Sequence, residues 1–170
     1  APSTVEASLA RFPGVARRFE VIGTTASGIR VVDDYAHNGE KLRAAITTAQ
    51  AGCQRLIAVF QPHGFGPARF LRPELAELLP RLLRPQDRFC YTEILYAGGS
   101  VRKDISAETL AQDLPPWLRC GYAADHADAL QNEPARISTA DKIAFVNRLA
   151  DAEVLVGGEG LAGHLAAVGG

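Results

Sequence analysis

The amino-acid sequence predicts an α/β fold with a mostly parallel sheet, helices on both faces and an N-terminal β-hairpin. Short β-branched runs alternate with runs whose apolar residues recur at helical spacing, and residues 55–60 are almost continuously apolar. Such an apolar run is typical of a strand buried on both faces of a parallel sheet. A chain of 170 residues has room for about one domain, so we expect a single domain over residues 1–170.

The first half of the sequence predicts a hairpin, a helix and a central strand. Residues 19–22 and 29–32 are short β-branched runs separated by a polar stretch, which favours a hairpin. Asn38 is placed to cap a helix whose apolar positions follow at helical spacing. After the strand over 55–60, we expect Pro73 to begin the next helix.

The second half of the sequence continues this alternation. Strands are expected over 88–92, 118–122 and 153–156, and helices after Ser106, over 139–150 and over 161–168. In open α/β sheets, ligands bind beyond the carboxyl ends of the strands. Polar and glycine-rich residues follow the expected strands at that edge, namely residues 33–38, 61–69, 96–102 and 157–160.

Composition and charge exclude several classes of protein. The formal charge is −1, from 18 Lys and Arg against 19 Asp and Glu, whereas a nucleic-acid binder normally needs a basic excess. No apolar run reaches the roughly 18 residues of a membrane span, and the N-terminus has no signal-peptide pattern. The three cysteines are odd in number and far apart, which favours buried thiols over a disulfide framework. These features favour a cytoplasmic protein.

Three segments carry candidate binding residues, each with an ordinary structural alternative. Asp34 can accept ribose hydroxyls with His37 and Asn38 beside a purine ring, but these residues also suit a capped turn. Arg18 can hold a phosphate or be a solvated surface residue. His63, in a loop with two glycines, can contact an anionic or carbonyl group or be structural. Two further arginines can extend a basic lip or stay solvated: Arg69 and Arg72.

Several catalytic signatures are missing from the sequence. It has no G-x-x-x-x-G-K-[ST] loop for a triphosphate, no G-x-S-x-G turn and no H-x-x-x-H pair, so no metal site is predicted. Residues 158–163 read G-x-G-x-x-G, which makes a dinucleotide-dependent oxidoreductase one hypothesis. A tight strand-to-helix turn is preferred, because the acidic residue that such sites carry about 20 residues later is not found.

Three ordered motifs resemble the C-terminal domain of Mur ligases. They occupy residues 14–20 (GVARRFE), 32–38 (VDDYAHN) and 59–63 (VFQPH). The resemblance extends to about Arg72. The third motif is most similar to that of the members that add L-alanine to UDP-N-acetylmuramate.

This resemblance implies a Rossmann-like domain of an enzyme of peptidoglycan precursor synthesis. Members of the family are cytoplasmic ligases that use ATP to activate a carboxylate as an acyl phosphate and then join it to an amine. The chain would be their third domain, inactive alone, with a UDP-sugar domain and a P-loop domain upstream in the same polypeptide. Its partners would be an amino acid, the UDP-sugar acceptor and ATP, with Mg²⁺ bound mainly by the central domain.

By the same resemblance, the candidate residues take specific roles. Arg18 would reach the ATP phosphates, and Asp34 would hold the ribose hydroxyls. His37 and Asn38 would lie along the adenine side. His63 would face the incoming amino acid, with two arginines nearby as further substrate-binding candidates, Arg69 and Arg72.

The sequence departs from the family pattern in the substrate loop. Gly64 and Pro67 stand where the alanine-adding members have arginines, and Gly39 stands where the family usually has proline. Either Arg69 or Arg72 replaces the missing guanidiniums, or the amine is not L-alanine. Two alternatives therefore stay open: a Mur-like ligase with another amine substrate, and a stand-alone nucleotide-binding module.

Overall fold

A computed structural model describes residues 2–25, 28–96, 98–119 and 164–168 of the chain. The expected helix over 139–150 and strand over 153–156 lie outside these residues, as does most of the expected strand over 118–122. The elements in chain order are α1 (Pro2–Ala10), β1 (Glu20–Thr24), β2 (Ile29–Asp33), α2 (Gly39–Ala51), β3 (Arg55–Phe60), α3 (Phe65–Leu82), β4 (Arg88–Tyr91), α4 (Ala107–Gln112) and β5 (His164–Val168).

The strands form one sheet in the order β1-β2-β5-β3-β4. β1 and β2 are the predicted antiparallel hairpin, and β3 pairs with β4 in parallel. β5 lies between β2 and β3 and is antiparallel to both. The α/β class and the N-terminal hairpin are confirmed, while the parallel part of the described sheet is small.

The helix expected over 161–168 is wrong for residues 164–168, which form β5. A short apolar run fits a strand as well as a helix, because its periodicity does not separate the two. The decision comes from pairing: β5 makes backbone ladders with β2 on one side and β3 on the other. Two complete ladders outweigh the weak local preference of this segment for a helix.

Helix α3 begins at Phe65, well before the expected start at Pro73. The proline in its first turn is Pro67, where a missing N–H costs no helical hydrogen bond. Pro73 and Pro80 lie inside the helix. The helix continues through them because its apolar face, with Leu75 and Leu79, is buried in the core.

The core is one cluster of apolar side chains between the sheet and helices α2, α3 and α4. In β3, Leu56, Ala58 and Phe60 belong to this cluster, and the intervening Ile57 and Val59 are buried as well. Because successive strand residues point to opposite faces, β3 is buried on both faces, as its continuous apolar run predicted. In the described part of the chain, no helix is long and apolar enough to cross a lipid bilayer.

The expectation that every cysteine carries a free thiol is wrong for Cys90. This residue of β4 is disulfide-bonded, whereas Cys53 is free. The wide spacing of the cysteines in sequence did not predict this, since the fold rather than the spacing decides which sulfurs can meet.

A buried carboxylate joins the amino-terminal ends of β3 and β4. Asp87 has no exposed surface, and its Oδ1 accepts hydrogen bonds from the Leu56 amide at 2.8 Å and from Nη2 of Arg84 at 3.0 Å. Its Oδ2 accepts from Nε2 of Gln50 at 2.8 Å and from Nε of Arg84 at 2.9 Å. Burial raises the pKa of this carboxyl, but the hydrogen bonds outweigh burial and leave the pKa below its ordinary value.

Candidate functional site

A cavity of about 260 Å³ lies beyond the carboxyl ends of β3 and β4. Two sequence motifs that are far apart in the chain meet here, because His37 and His63 both line the cavity. Five segments contribute to its walls: the β2–α2 loop, the end of β3 with its following loop, α3, the end of β4, and α4. The lining residues are Tyr35, His37, Phe60, Pro62, His63, Pro67, Ala68, Leu71, Leu75, Tyr91 and Leu110.

The loop that carries His63 is held by backbone hydrogen bonds to the segment after β4. The Leu95 amide donates to the Pro62 carbonyl at 2.8 Å, and the Gly64 amide donates to the Leu95 carbonyl at 2.9 Å. Beneath the loop, buried Gln61 donates through Nε2 to the Glu93 carbonyl at 3.1 Å. These bonds extend the parallel pairing past the strand ends and leave the His63 side chain exposed at the rim.

Gly64 is required by the turn from this loop into α3. Its backbone has φ 86° and ψ 145°, a combination that residues with a Cβ rarely adopt. A Cβ at this position would also lie 3.3 Å from Cδ of Pro67. An arginine at position 64 would therefore strain this loop conformation.

Both ring nitrogens of His37 are engaged within the protein. Nδ1 lies 2.9 Å from the Tyr35 carbonyl and Nε2 lies 3.1 Å from Nζ of Lys41. The carbonyl only accepts and an ammonium only donates, so both bonds form when Nδ1 carries the proton and Nε2 accepts. The edge of the His37 ring also packs on Tyr35, with 5.0 Å between the ring centroids. A ligand in the cavity therefore meets the carbon atoms of this ring rather than a free nitrogen.

The Tyr35 ring, which contacts His37, also contacts two arginines. The guanidinium carbons of Arg17 and Arg18 lie 4.8 Å and 5.6 Å from the Tyr35 ring centroid, within the range of cation–π attraction. Arg17 has a left-handed backbone, with φ 60°, and its carbonyl accepts from the Tyr35 amide at 2.9 Å. The strained turn thus places the predicted phosphate-binding Arg18 beside the β2–α2 loop.

Asp34 and Asn38 both make structural hydrogen bonds. Oδ2 of Asp34 accepts from the Phe19 amide at 2.8 Å, which ties the β2–α2 loop to the turn before β1. Oδ1 of Asn38 accepts from the Lys41 amide at 3.0 Å, so the predicted helix cap is confirmed. Their roles in nucleotide binding stay predictions.

Arg69 and Arg72 point away from the cavity into ion pairs. Nη1 of Arg69 lies 2.5 Å from Asp104 and 2.9 Å from the Arg102 carbonyl, to which it donates. Arg72 binds both carboxylate oxygens of Asp113, at 2.5 Å and 2.9 Å, and this hydrogen bonding holds the pKa of Asp113 below its ordinary value. Neither arginine lines the cavity, and their predicted contact with substrate stays a prediction.

Sequence reasoning missed several residues of this site. Lys41 could have been found, because a residue four positions after His37 faces it when both lie at a helix start. Tyr91 closes the cavity floor; burial raises the pKa of its phenol and the Asp113 carboxylate adds to the effect. No local signal marks Tyr91 or Leu110, since their place in the cavity depends on strand order and helix packing.

Comparison with known proteins decides the family of the chain. Residues 17–149 match the family model described as "Mur ligase, glutamate ligase domain". The chain belongs to the Mur ligase family. The matched span includes both histidine-bearing motifs of the cavity and the arginine turn before β1.

Among known Mur ligases, the chain is similar to several named UDP-N-acetylmuramate–L-alanine ligase. It is 37% identical to the protein of Geobacter sp. (strain M21) over 110 residues, which are 64% of this chain and 23% of that protein. It is 34% identical to the protein of Mycolicibacterium gilvum over 140 residues, which are 79% of this chain and 28% of that protein. The chain thus spans about a quarter of the length of the relatives it matches.

Proposed function

We propose that this chain is the C-terminal domain of a longer ATP-dependent ligase that adds an amino acid or another amine to UDP-N-acetylmuramate or a related acceptor. The observation that carries the proposal is the convergence of two Mur ligase motifs, through His37 and His63, on one cavity at the strand ends. Cavities at this edge of an α/β sheet are the usual place for a ligand. The domain alone is proposed to be inactive.

The proposed reaction needs positive charge for phosphates and a place for the amine. ATP, as co-substrate, converts the acceptor carboxylate to an acyl phosphate, and the amine then displaces phosphate to form the amide. Exposed Arg18 is suited to the phosphates, because a guanidinium binds two phosphate oxygens at once. Asp34 is proposed to accept ribose hydroxyls, with His37 and Asn38 toward the adenine and His63 toward the amine.

Mg²⁺ is expected for such a ligase, but the described residues do not fit a site for it. No group of three or more His, Cys, Asp or Glu side chains comes together in the described part of the chain. Mg²⁺ is usually held by one or two carboxylates together with substrate phosphates. We therefore assign no metal ligand among the described residues, and upstream domains of the same polypeptide are the proposed source of such ligands.

The alternative of a stand-alone nucleotide-binding module has one supporting observation. Both arginines that follow the His63 loop, Arg69 and Arg72, are paired with aspartates, so the substrate loop carries no obvious charge for an amino-acid carboxylate. The module would bind ATP without transferring phosphate. ATP titration of the 170-residue chain, beside a turnover assay of the longer polypeptide, separates the two functions.

The test is phosphate release by the longer polypeptide with ATP, Mg²⁺, UDP-N-acetylmuramate and each amine in turn. We expect release that depends on both acceptor and amine. Asp34→Asn should raise the KM for ATP about tenfold, because a charge-assisted hydrogen bond is lost, while its remaining oxygen still accepts from Phe19. Glu77→Gln, an exposed change on α3, is the matched control. ATP binding without phosphate release contradicts the proposed ligase. An unchanged KM for ATP in Asp34→Asn contradicts the proposed role of Asp34.

A further inference from the structure

We infer that the 260 Å³ cavity receives an uncharged, apolar side chain of the amine substrate, larger than a methyl group, and that Ala68 and Leu71 set its size. The inference rests on the proposed function for its reaction, but the cavity's preference for a ligand is a property of this chain. It names the substrate class that the altered loop around Gly64 selects.

The chemistry of the cavity wall excludes a charged side chain. Among the residues that the structure describes, no Asp, Glu, Lys or Arg lines the cavity, and most of the lining is aliphatic, proline or aromatic. Phe60, Leu75 and Tyr91 are almost completely buried. A carboxylate or ammonium entering between these groups would lose its hydration without gaining a charged partner.

The nearby cations are engaged outside the cavity. Arg69 and Arg72, on the helix that forms one wall, are paired with Asp104 and Asp113. Lys41 donates to His37 from the side of the ring that faces α2. None of these groups lines the cavity, and the polar side chains among its described lining residues are the two imidazoles and the two phenols.

The volume accommodates one amino-acid side chain, and the lining rather than the volume argues against a nucleoside. The volume lies below the roughly 300–1,000 Å³ of pockets for drug-sized ligands. It is also many times the roughly 30 Å³ that a water-sized group such as a methyl occupies. A purine further needs partners for its ring nitrogens and amino group, and none of the described lining residues is Asn, Gln, Ser or Thr.

Helix α3 forms the wall that can discriminate between sizes. Pro67, Ala68, Leu71 and Leu75 follow one another on one face of this helix and all line the cavity. Ala68 is buried and is the smallest side chain of this face. A larger residue at position 68 would fill the space, and a smaller one at position 71 would enlarge it.

The first experiment compares amines in turnover by the longer polypeptide. L-leucine and L-aspartate have similar shapes but differ in charge, and L-alanine tests size. We expect kcat/KM for L-leucine to exceed that for L-aspartate at least 100-fold and that for L-alanine at least tenfold, since even one methylene in an apolar pocket is worth about tenfold and leucine has three more carbons than alanine. Equal use of L-aspartate, or a preference for L-alanine over L-leucine, overturns the inference.

Two variants test the wall. Ala68→Leu should raise the KM for L-leucine about tenfold with little change for L-alanine, and Leu71→Ala should shift the preference toward L-phenylalanine. Ala44→Leu, an exposed position on α2, is the matched control. If Ala68→Leu does not fold, as judged by thermal unfolding, Leu71→Ala decides alone. Unchanged preferences in a folded Leu71→Ala variant overturn the role of this wall.

A binding measurement on the 170-residue chain keeps the two proposals separate. L-leucine, L-aspartate and adenosine are titrated in turn, and the NMR signals of His63 and the Leu75 methyl groups are followed, because His37 is proposed to lie toward the adenine as well. Signal shifts with L-leucine, and with neither of the other two ligands, support the inference. They support it even if no amine supports turnover, although missing turnover would contradict the proposed ligase. Shifts with adenosine or L-aspartate instead, or with no ligand, overturn the inference.

Discussion

The two ends of the β3–β4 pair are built differently. At the amino ends, Asp87 is fully buried, and its two oxygens accept hydrogen bonds from the backbone and side chains of three neighbouring segments. At the carboxyl ends, the same strands open into a cavity that is lined by two histidines together with aromatic, proline and aliphatic side chains. One pair of strands therefore has a closed end and an open end.

The difference shows where stability and binding come from in this domain. At the closed end, the buried charge of Asp87 stabilises the fold because both of its oxygens have hydrogen-bond partners. An unpaired buried charge would be costly. The open end depends on apolar walls and on backbone hydrogen bonds that hold a loop, which leaves space for a ligand. Substitutions at the closed end should change stability, and those at the open end should mainly change binding.

The largest expected effect is at the closed end. Asp87→Asn removes the charge opposite Arg84 and should lower the free energy of unfolding by about 3 kcal/mol at pH 7, as is typical when a buried ion pair is broken. Urea unfolding followed by circular dichroism measures the change. Glu77→Gln, in an exposed ion pair with Arg81, should leave the stability nearly unchanged.

The loss of stability in Asp87→Asn should depend on pH, because the pKa of Asp87 is lowered in the folded chain. In the unfolded chain an aspartate titrates near pH ~3.9. Because the folded pKa is lower, the carboxylate stabilises the fold fully above that pH, and this stability is lost as the pH falls toward the folded pKa. The difference between the parent chain and Asp87→Asn should therefore shrink below about pH 4. A difference that is constant from pH 7 to pH 3 would show that the charge is not its source.

A smaller effect on stability is expected at Gly64, in the turn that leads into α3. Gly64→Ala places a Cβ on a backbone with φ 86° and should cost about 2 kcal/mol. Gly66→Ala is the matched control, because a Cβ there has no atom within 4 Å, and it should stabilise α3 by about 0.5–1 kcal/mol. Thermal unfolding of both variants gives the comparison. Equal effects of the two substitutions would argue against a strained turn at Gly64.

The smallest effect on stability is expected at Lys41. Lys41→Met removes the donor to Nε2 of His37 and should change the free energy of unfolding by less than about 0.5 kcal/mol. It should nevertheless weaken the preference of the His37 ring for the tautomer protonated at Nδ1, because only the Tyr35 carbonyl then selects it; ¹⁵N shifts of the ring at pH 8 report this change. Lys103→Met, which removes a lysine over the Tyr96 ring, should leave the His37 tautomer unchanged. The same change in both variants would mean that Lys41 does not fix the ring.

Much of the fold could be predicted from local patterns, and the errors have a common cause. The hairpin, the Asn38 cap and the buried β3 run depend on short-range chemistry, and all three are confirmed. The start of α3 was misplaced because two prolines, Pro67 and Pro73, fit the same signal. The segment forming β5 was misread because its conformation is decided by strands that are more than a hundred residues away in sequence.

The candidate site, like the fold, could be predicted from the sequence only in part. His37 and His63 could be named from motifs and strand ends, and they do line one cavity. The ion pairs of Arg69 and Arg72 could not be predicted, because their aspartate partners lie in segments that the motifs do not include; the contact of these arginines with substrate stays a prediction. The sequence did not predict that apolar residues of α3 line the cavity. Apolar residues at helical spacing show the same pattern whether they face a core or a cavity.

The place of β5 in the sheet has a consequence for synthesis of the chain on the ribosome. Residues 164–168 fill the gap between β2 and β3, so the hairpin cannot join the rest of the sheet until nearly all of this sequence has been made. Until then β2 and β3 each present an unpaired edge, and closing so long a loop is slow. The nascent domain therefore carries two open strand edges for most of its translation, when pairing with other chains competes with folding.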